Sequence, residues 1–419
     1  MLKLTDEQKK MYDGGYGPGT QKATAMLVKY GNAFDAKRMI RVDSVHTFAS
    51  EPIEFLSQMV EGLDEVRAFS SLHSARPAAT RWARAMGIRP EVAAQEAKVH
   101  EERVKLYRKA GFLETFSCAP YLVGNMLKKG MTYSWPGSSG IVIGNSLFGA
   151  RGNRDAGPAA LSSAITGLTP EMLLNRPENR YAELVVRLEG LDMESFSAAD
   201  FGALGYYIGA VAGQKKVAVV GIPQGLPFEK MKYFLSPMPV SGAVSLCHII
   251  GVTPEAPTLK AALGNGRPDE TIKVGKKEME EGYQRLNTAK TNRVDAVCFG
   301  CPHCTISEIR RIAQLLDGKK VKEGVRLWVS TAEAIYPLAK RMGYVDTIEK
   351  AGGLVVTGMC IMGFPFPLLE VPAKTSATDS ARAAHYQARG GTAGGVGVDV
   401  LYGSTERCVA SAIKGKWGG

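Results

Sequence analysis

Short apolar, β-rich runs alternate with helices of ten or more residues, and this rhythm constrains the fold more than any other feature of the sequence. "VDAVCFGC" (294–301) leads into "SEIRRIAQLLDG" (307–318), "VRLWVS" (325–330) into "TAEAIYPLAKRMGYVDTIEKAGG" (331–353), and that into "LVVTGMC" (354–360). Earlier, "VHEERVKLYRKAG" (99–111) reads as a helix running into "FLETFSC" (112–118), an expected strand. Such alternation builds βαβ units, so the chain is expected to be α/β with mostly parallel sheets. Gly111 and the Gly352-Gly353 pair stand where left-handed helix ends are expected.

A length of 419 residues allows about two or three domains and a core that needs no staple. Breaks are expected near 165 and 290, within stretches rich in Gly, Asn, Pro and charge, dividing the chain into 1–165, 166–290 and 291–419. The first ten residues are charged and lack an apolar core, so no signal peptide is read. The apolar run 354–369 is shorter than a span of about 20 residues and is broken by Gly358, Gly363, Pro365 and Pro367. The expectation is a soluble cytoplasmic protein with no membrane partner. Its formal charge of +11 favours anionic partners, yet the basic residues interleave with Glu along helical segments and form no stripe. That pattern argues against nucleic acid and points to a small carboxylate- or phosphate-bearing substrate.

Seven cysteines without a secretory signal read as reduced thiols that bind metal or catalyse, where they do anything. Cys118, Cys301 and Cys360 each follow an expected strand, and parallel α/β sheets bind ligands beyond the carboxyl ends of their strands. Three separate segments can thus deliver a thiol to one crevice. Cys247, Cys298 and Cys408 fall within strands or a helix and read as small buried hydrophobes. The stretch "CPHC" (301–304) leaves three readings open. A redox dithiol needs its first cysteine at a helix N-terminus, but "TISE" (305–308) has the form of a capping box with Thr305 as N-cap, which puts both cysteines ahead of the helix. A tetrahedral zinc site lacks a second Cys-x-x-Cys or a His pair. Three cysteines without a fourth suit an iron–sulfur cluster with one open iron acting as a Lewis acid.

In "SSGIVIGNSLFGARGNRDAGPAAL" (138–161) a strand "GIVIGN" is expected to lead to a loop carrying Arg151, Asn153 and Arg154 among glycines. Guanidinium forks match carboxylate and phosphate bidentately, so this loop reads as an anion clamp or as an ion-pair network with Asp155. The glycines here and in "GGYGPG" are too irregular for a dinucleotide fingerprint.

"SCAPY" (117–121), "GNSLFGARGNRDAGP" (144–158), "GCPH" (300–303), "GMC" (358–360) and "TDSARAAHY" (378–386), with "GYGPGTQKA" (15–23) and "SVHTF" (44–48) before them, stand in an order that resembles the catalytic large subunit of aconitase X. The resemblance spans nearly the whole chain. It implies an aconitase-like multi-domain α/β/α fold around a central iron–sulfur and substrate cleft. It also implies hydro-lyase activity, with cis-3-hydroxy-L-proline as the expected substrate and mevalonate 5-phosphate as the alternative. The cluster ligands it implies are Cys118, Cys301 and Cys360, with the number of irons left open. Substrate contacts are expected from His46, Ser138, Ser139, Asn145, Ser146, Arg151, Asn153, Arg154, Ser380 and His385. His303 is expected either to give a proton to the departing hydroxyl or to orient the cluster. A chain ending soon after "CVASAIKGKW" is expected to lack the family's swivelling domain and to pair with a small subunit that supplies it, including a serine base. Three positions depart from the family pattern and bear on substrate choice: Gly137 where an acidic residue is usual, Gly152 where threonine is usual, and Cys304 where a small residue is usual. Other classes weighed are a thiol–disulfide oxidoreductase using Cys301 and Cys304, and a non-catalytic scaffold subunit.

Overall fold

The computed structural model describes residues 2–264, 266–363, 365–391 and 396–418. Three sheets carry the fold, and every strand pair within them is parallel. The first runs Phe69–Leu72, Ser44–Thr47, Thr132–Trp135, Arg151–Arg154 across its width. The second runs Glu270–Val274, Leu184–Leu188, Val217–Val220, Cys247–Ile249. The third has five strands: Leu354–Thr357, Arg326–Thr331, Ala296–Cys304, Thr375–Thr378, Asp399–Tyr402. A two-stranded antiparallel ribbon, Met39–Arg41 with Leu168–Pro170, is added to these. Parallel strands have helices on both faces, and accordingly every residue of Ala296–Cys304 is buried. No helix among the described residues is long and apolar enough to cross a membrane.

The three units share their cores. Tyr133, Trp135 and Ile141 from the first pack into one cluster with Leu184, Phe201 and Phe234 from the second. Ala199 and Tyr206 of the second meet Ala381, Ala384 and Tyr402 of the third. Ala78, Met86 and Ile88 of the first pack with Ala296, Trp328 and Met359 of the third. Burying apolar surface stabilises by roughly 25 cal/mol per Å², so these shared clusters hold the sheets in register with one another. The cleft described below lies where the three come together.

Several expected elements differ. Residues 140–145 belong to a helix, Ser138–Ser146, rather than a strand. A short apolar run fits either element, and the helix is selected because Gly140 and Gly144, four apart on one face, lie against the rings of Trp135 and Tyr133. Residues 151–154, expected as a loop, are the edge strand of the first sheet. Residues 112–118 make only one bridge, Leu113 with Ser71, and Phe116 at φ +39° turns the chain out of extension. The long helix expected over 331–353 is two helices, Tyr336–Arg341 and Tyr344–Lys350, broken at Gly343, where φ is +77°.

Candidate active site

A cleft of about 390 Å³ opens where the carboxyl ends of strands from the first and third sheets converge. Cys118, Cys301 and Cys360 all border it. Cys301 follows Gly300, whose φ of +99° and 2.1 Å clearance from the Ser330 carbonyl oxygen to any added Cβ admit glycine alone. Cys360 lies just past Leu354–Thr357 and is fixed by its backbone N–H donating to Ala75.

His303 ties the three cysteine segments together. Its backbone N–H donates to Cys118 Sγ at 3.2 Å. Its ring Nε2 lies 2.7 Å from the Met359 carbonyl oxygen, which can only accept, so Nε2 carries the proton. Nδ1 is then the acceptor for the Ser117 hydroxyl at 3.2 Å. Both ring nitrogens are used, the side chain is fully buried, and it does not border the cleft. Burial holds its pKa down to about 4, so the ring is neutral at neutral pH. Of the two expected roles, proton donor or orienting group, the ring's contacts with Ser117 and Met359 and its place behind the cleft wall are the geometry of the second.

Burial pushes the Cys118 thiol up to about 12, with Cys360 nearby adding to the rise, and pushes Cys301 and Cys360 upward as well. Three thiols held protonated until a cation arrives are the usual state of a metal-thiolate site before loading. The Arg382 guanidinium lies in electrostatic reach of all three. Among the described residues no group of three or more His, Cys, Asp or Glu is arranged to hold a single metal ion. Thiolates are the usual ligands of iron–sulfur clusters, so the chemistry of the three thiols bordering the cleft is compatible with one. Cys304, three residues on, borders a different cavity together with Glu308 and Asp379, so it is not placed as a fourth ligand or as a dithiol partner of Cys301. The capping box beyond it forms as expected, Thr305 Oγ1 accepting from Glu308 N and Glu308 accepting from Thr305 N.

Of the expected substrate contacts, Ser138, Ser139 and Arg154 border the cleft. The two serines open helix Ser138–Ser146, whose N-terminus adds a partial positive charge. Arg151 and Asn153 do not border it, because side chains alternate along a strand and Arg154 faces the other way. Asn153 is spent on Met172 O at 3.2 Å and Leu174 N at 2.9 Å. Asn145 is spent on both backbone groups of Gly152 and on Arg180, and Ser146 accepts from Cys247 N, so both are joints between the first two units. His46 sits one layer back, its Nδ1 2.9 Å from Ser71 Oγ and its ring 5.4 Å from that of His73. Ser380 donates to the Cys301 carbonyl and caps helix Ala381–Gln387. His385 on that helix bonds Tyr206 away from the cleft, at 2.9 Å.

Two groups were not singled out from sequence. Arg382 donates to Ser138 Oγ at 2.9 Å, lies 5.0 Å from the ring centre of Tyr386, and faces the cysteine wall. The signal was the Arg382–Tyr386 spacing of four, one helix face, inside "TDSARAAHY". His73 also borders the cleft, directly after the strand Phe69–Leu72, where a strand-end rule would have found it. Burial lowers its pKa to about 3. At the mouth, Arg76 pairs with Glu96 at 3.3 Å and Arg103 Nε donates to the Glu51 carbonyl at 2.8 Å.

Family models described as the first, second and third domains of aconitase X match residues 1–175, 170–284 and 294–414. The chain is 36% identical over 411 residues to the phosphomevalonate dehydratase large subunit of Methanothermobacter thermautotrophicus, covering 95% of this chain and 96% of that one. It is 30% identical to the cis-3-hydroxy-L-proline dehydratase of Hypocrea jecorina, covering 99% of this chain and 69% of that protein. Among solved structures, holo-form aconitase X of Thermococcus kodakaraensis matches with a TM-score of 0.84 and 28% identity, over 98% of this chain and 100% of the other.

Proposed function

The chain belongs to the aconitase X family of hydro-lyases, and on that premise we propose that it is the large subunit of a dehydratase that removes water from a small hydroxy carboxylate. The observation that carries this reading is the placement of Cys118, Cys301 and Cys360 on one wall of a cleft that also contains Arg382, Ser138 and Ser139. Cys118, Cys301 and Cys360 would hold an iron–sulfur cluster, which when bound would supply a Lewis acid for the departing hydroxyl. Arg382, already bonded to Ser138, offers its remaining N–H groups to the carboxylate, and the N-terminus of helix Ser138–Ser146 adds to the attraction. His73 contributes a neutral ring beside that clamp. His303 holds the wall and moves no proton. The proton acceptor is assigned to a serine of a small partner subunit, and the relatives named as large subunits support the existence of such a partner.

Within this class we take cis-3-hydroxy-L-proline as the substrate. At the mouth Arg76 is paired with Glu96 and Arg103 donates to the Glu51 carbonyl, so these two guanidiniums are engaged with protein acceptors rather than free for a phosphate. The second reading, mevalonate 5-phosphate, is favoured by the end-to-end match to large subunits of that name. Anaerobic purification with the small subunit, iron and sulfide analysis, and parallel assays of the two compounds test both. Iron and sulfide at well below one per chain would sink the cofactor assignment. Turnover of the phosphorylated compound alone would reverse the order of substrates, and turnover of neither would sink the class.

A further inference from the structure

Behind the cysteine wall a lysine is buried completely. Lys232 lies on helix Phe228–Leu235 of the second unit, where Met231, Phe234 and Leu235 anchor the helix in the core shared with the first unit. Its ammonium is fully enclosed and pairs with Glu308. It also donates to the His303 carbonyl at 3.2 Å and to the Pro302 carbonyl at 3.5 Å. The same helix also holds Thr305, two residues beyond His303, whose Oγ1 donates to Glu229 Oε1 at 2.8 Å. An ammonium removed from water is strongly penalised unless its partners are well placed, and here those partners are the backbone oxygens between Cys301 and helix Ile306–Leu316.

We propose that Lys232 is a positioning residue for the three-cysteine wall, clamping the Pro302 and His303 carbonyls from the second unit. This inference rests on the dehydratase reading above. The clamp fixes the peptide whose N–H meets Cys118 Sγ and the ring that reaches Met359 and Ser117. One side chain from outside the first and third units thus sets the spacing of all three thiols. Lys232 does not border the cleft, so its effect reaches substrate only through the wall.

The test is the double variant Lys232→Met with Glu308→Gln, which keeps side-chain volume and leaves no lone buried charge. In the metal-free protein, hydrogen exchange of a peptide spanning 299–305 is expected to rise about 10-fold while helix 198–212 keeps its protection. In the complete enzyme with its small subunit, kcat falls and a chelator removes iron faster, each by about 10–100-fold, with KM unchanged. A folded variant with wild-type exchange across 299–305 overturns the proposal, as does a rise in KM with kcat unchanged. Should the double variant fail to fold, Lys232→Met alone, which leaves a charge only on the partly exposed Glu308 that still accepts from Thr305 N, is judged by the same two criteria. Wild-type protein that takes up no iron refutes the cofactor reading and leaves the exchange comparison to decide the clamp.

Discussion

Cys301 and Cys304 belong to one strand, three residues apart and both buried, and although Cys118 lies within electrostatic reach of each, they border different cavities. Cys301 borders the cleft with two other thiols and Arg382. Cys304 packs into an apolar cluster with Ile309, Val329 and Leu401, and its far side meets the Lys232–Glu308 pair. Burial raises both thiols, so depth does not separate them. What separates them is the company of other donors: a thiol becomes a ligand where its neighbours complete a set, and remains a small hydrophobe where they do not.

The sharpest way to break this comparison is to remove each thiol in turn. Cys118→Ala, Cys301→Ala and Cys360→Ala are expected to lose the cluster and all dehydration, whereas Cys304→Ala keeps iron content and activity within about 2-fold and costs about 1 kcal/mol of stability. Iron analysis, visible absorbance and a denaturant melt read the outcome. Retention of iron in Cys301→Ala, or its loss in Cys304→Ala, would reverse the assignment of the two sides.

The next effect in size concerns what faces Cys301. Arg382→Gln keeps the thiols but removes the cation beside them, and kcat/KM is expected to fall by about 10²–10³ with iron bound as in wild type. An unchanged kcat/KM would take Arg382 out of the site. The smallest effect is one of pH. His73 has a folded pKa of about 3, below the usual 6.5, so between those values the unfolded chain takes up a proton that the folded ring refuses. Its contribution to stability is complete above about pH 6.5 and is lost as pH falls, by at most about 1.4 kcal/mol per pH unit. His73→Gln should flatten the fall in melting temperature between pH 7 and pH 5; an identical slope in variant and wild type would show that this ring titrates normally.

The parallel α/β architecture and the grouping of three cysteines were legible in the sequence because both follow from where strands end. Cys118 joined its group even though the segment before it is not a strand, since its bridge to Ser71 carries it past the end of Phe69–Leu72. The anion contacts were less legible for a physical reason. Reading 140–145 as a strand turned the true strand 151–154 into a loop, and on a loop the alternation that separates Arg151 and Asn153 from Arg154 does not apply. Arg382 is less legible because hydroxyl and imidazole groups stand beside it in the same motif, whereas helical phase brings the guanidinium and Tyr386 to the cleft. Nothing local to Lys232 announces a cluster clamp; its partners lie 70 and more positions away in the chain.

The three shared cores bear on how such a protein can be divided. A cut between the first and second sheets would leave Tyr133, Trp135 and Ile141 facing water on one piece and Leu184, Phe201 and Phe234 on the other. A cut before the third would part Cys118 from Cys301 and Cys360 while baring Ala199 and Tyr206. Each fragment would carry an apolar face large enough to drive aggregation. Exchange of activity between relatives is therefore expected to succeed by replacing residues around the entrance of the cleft, and to fail by swapping whole units.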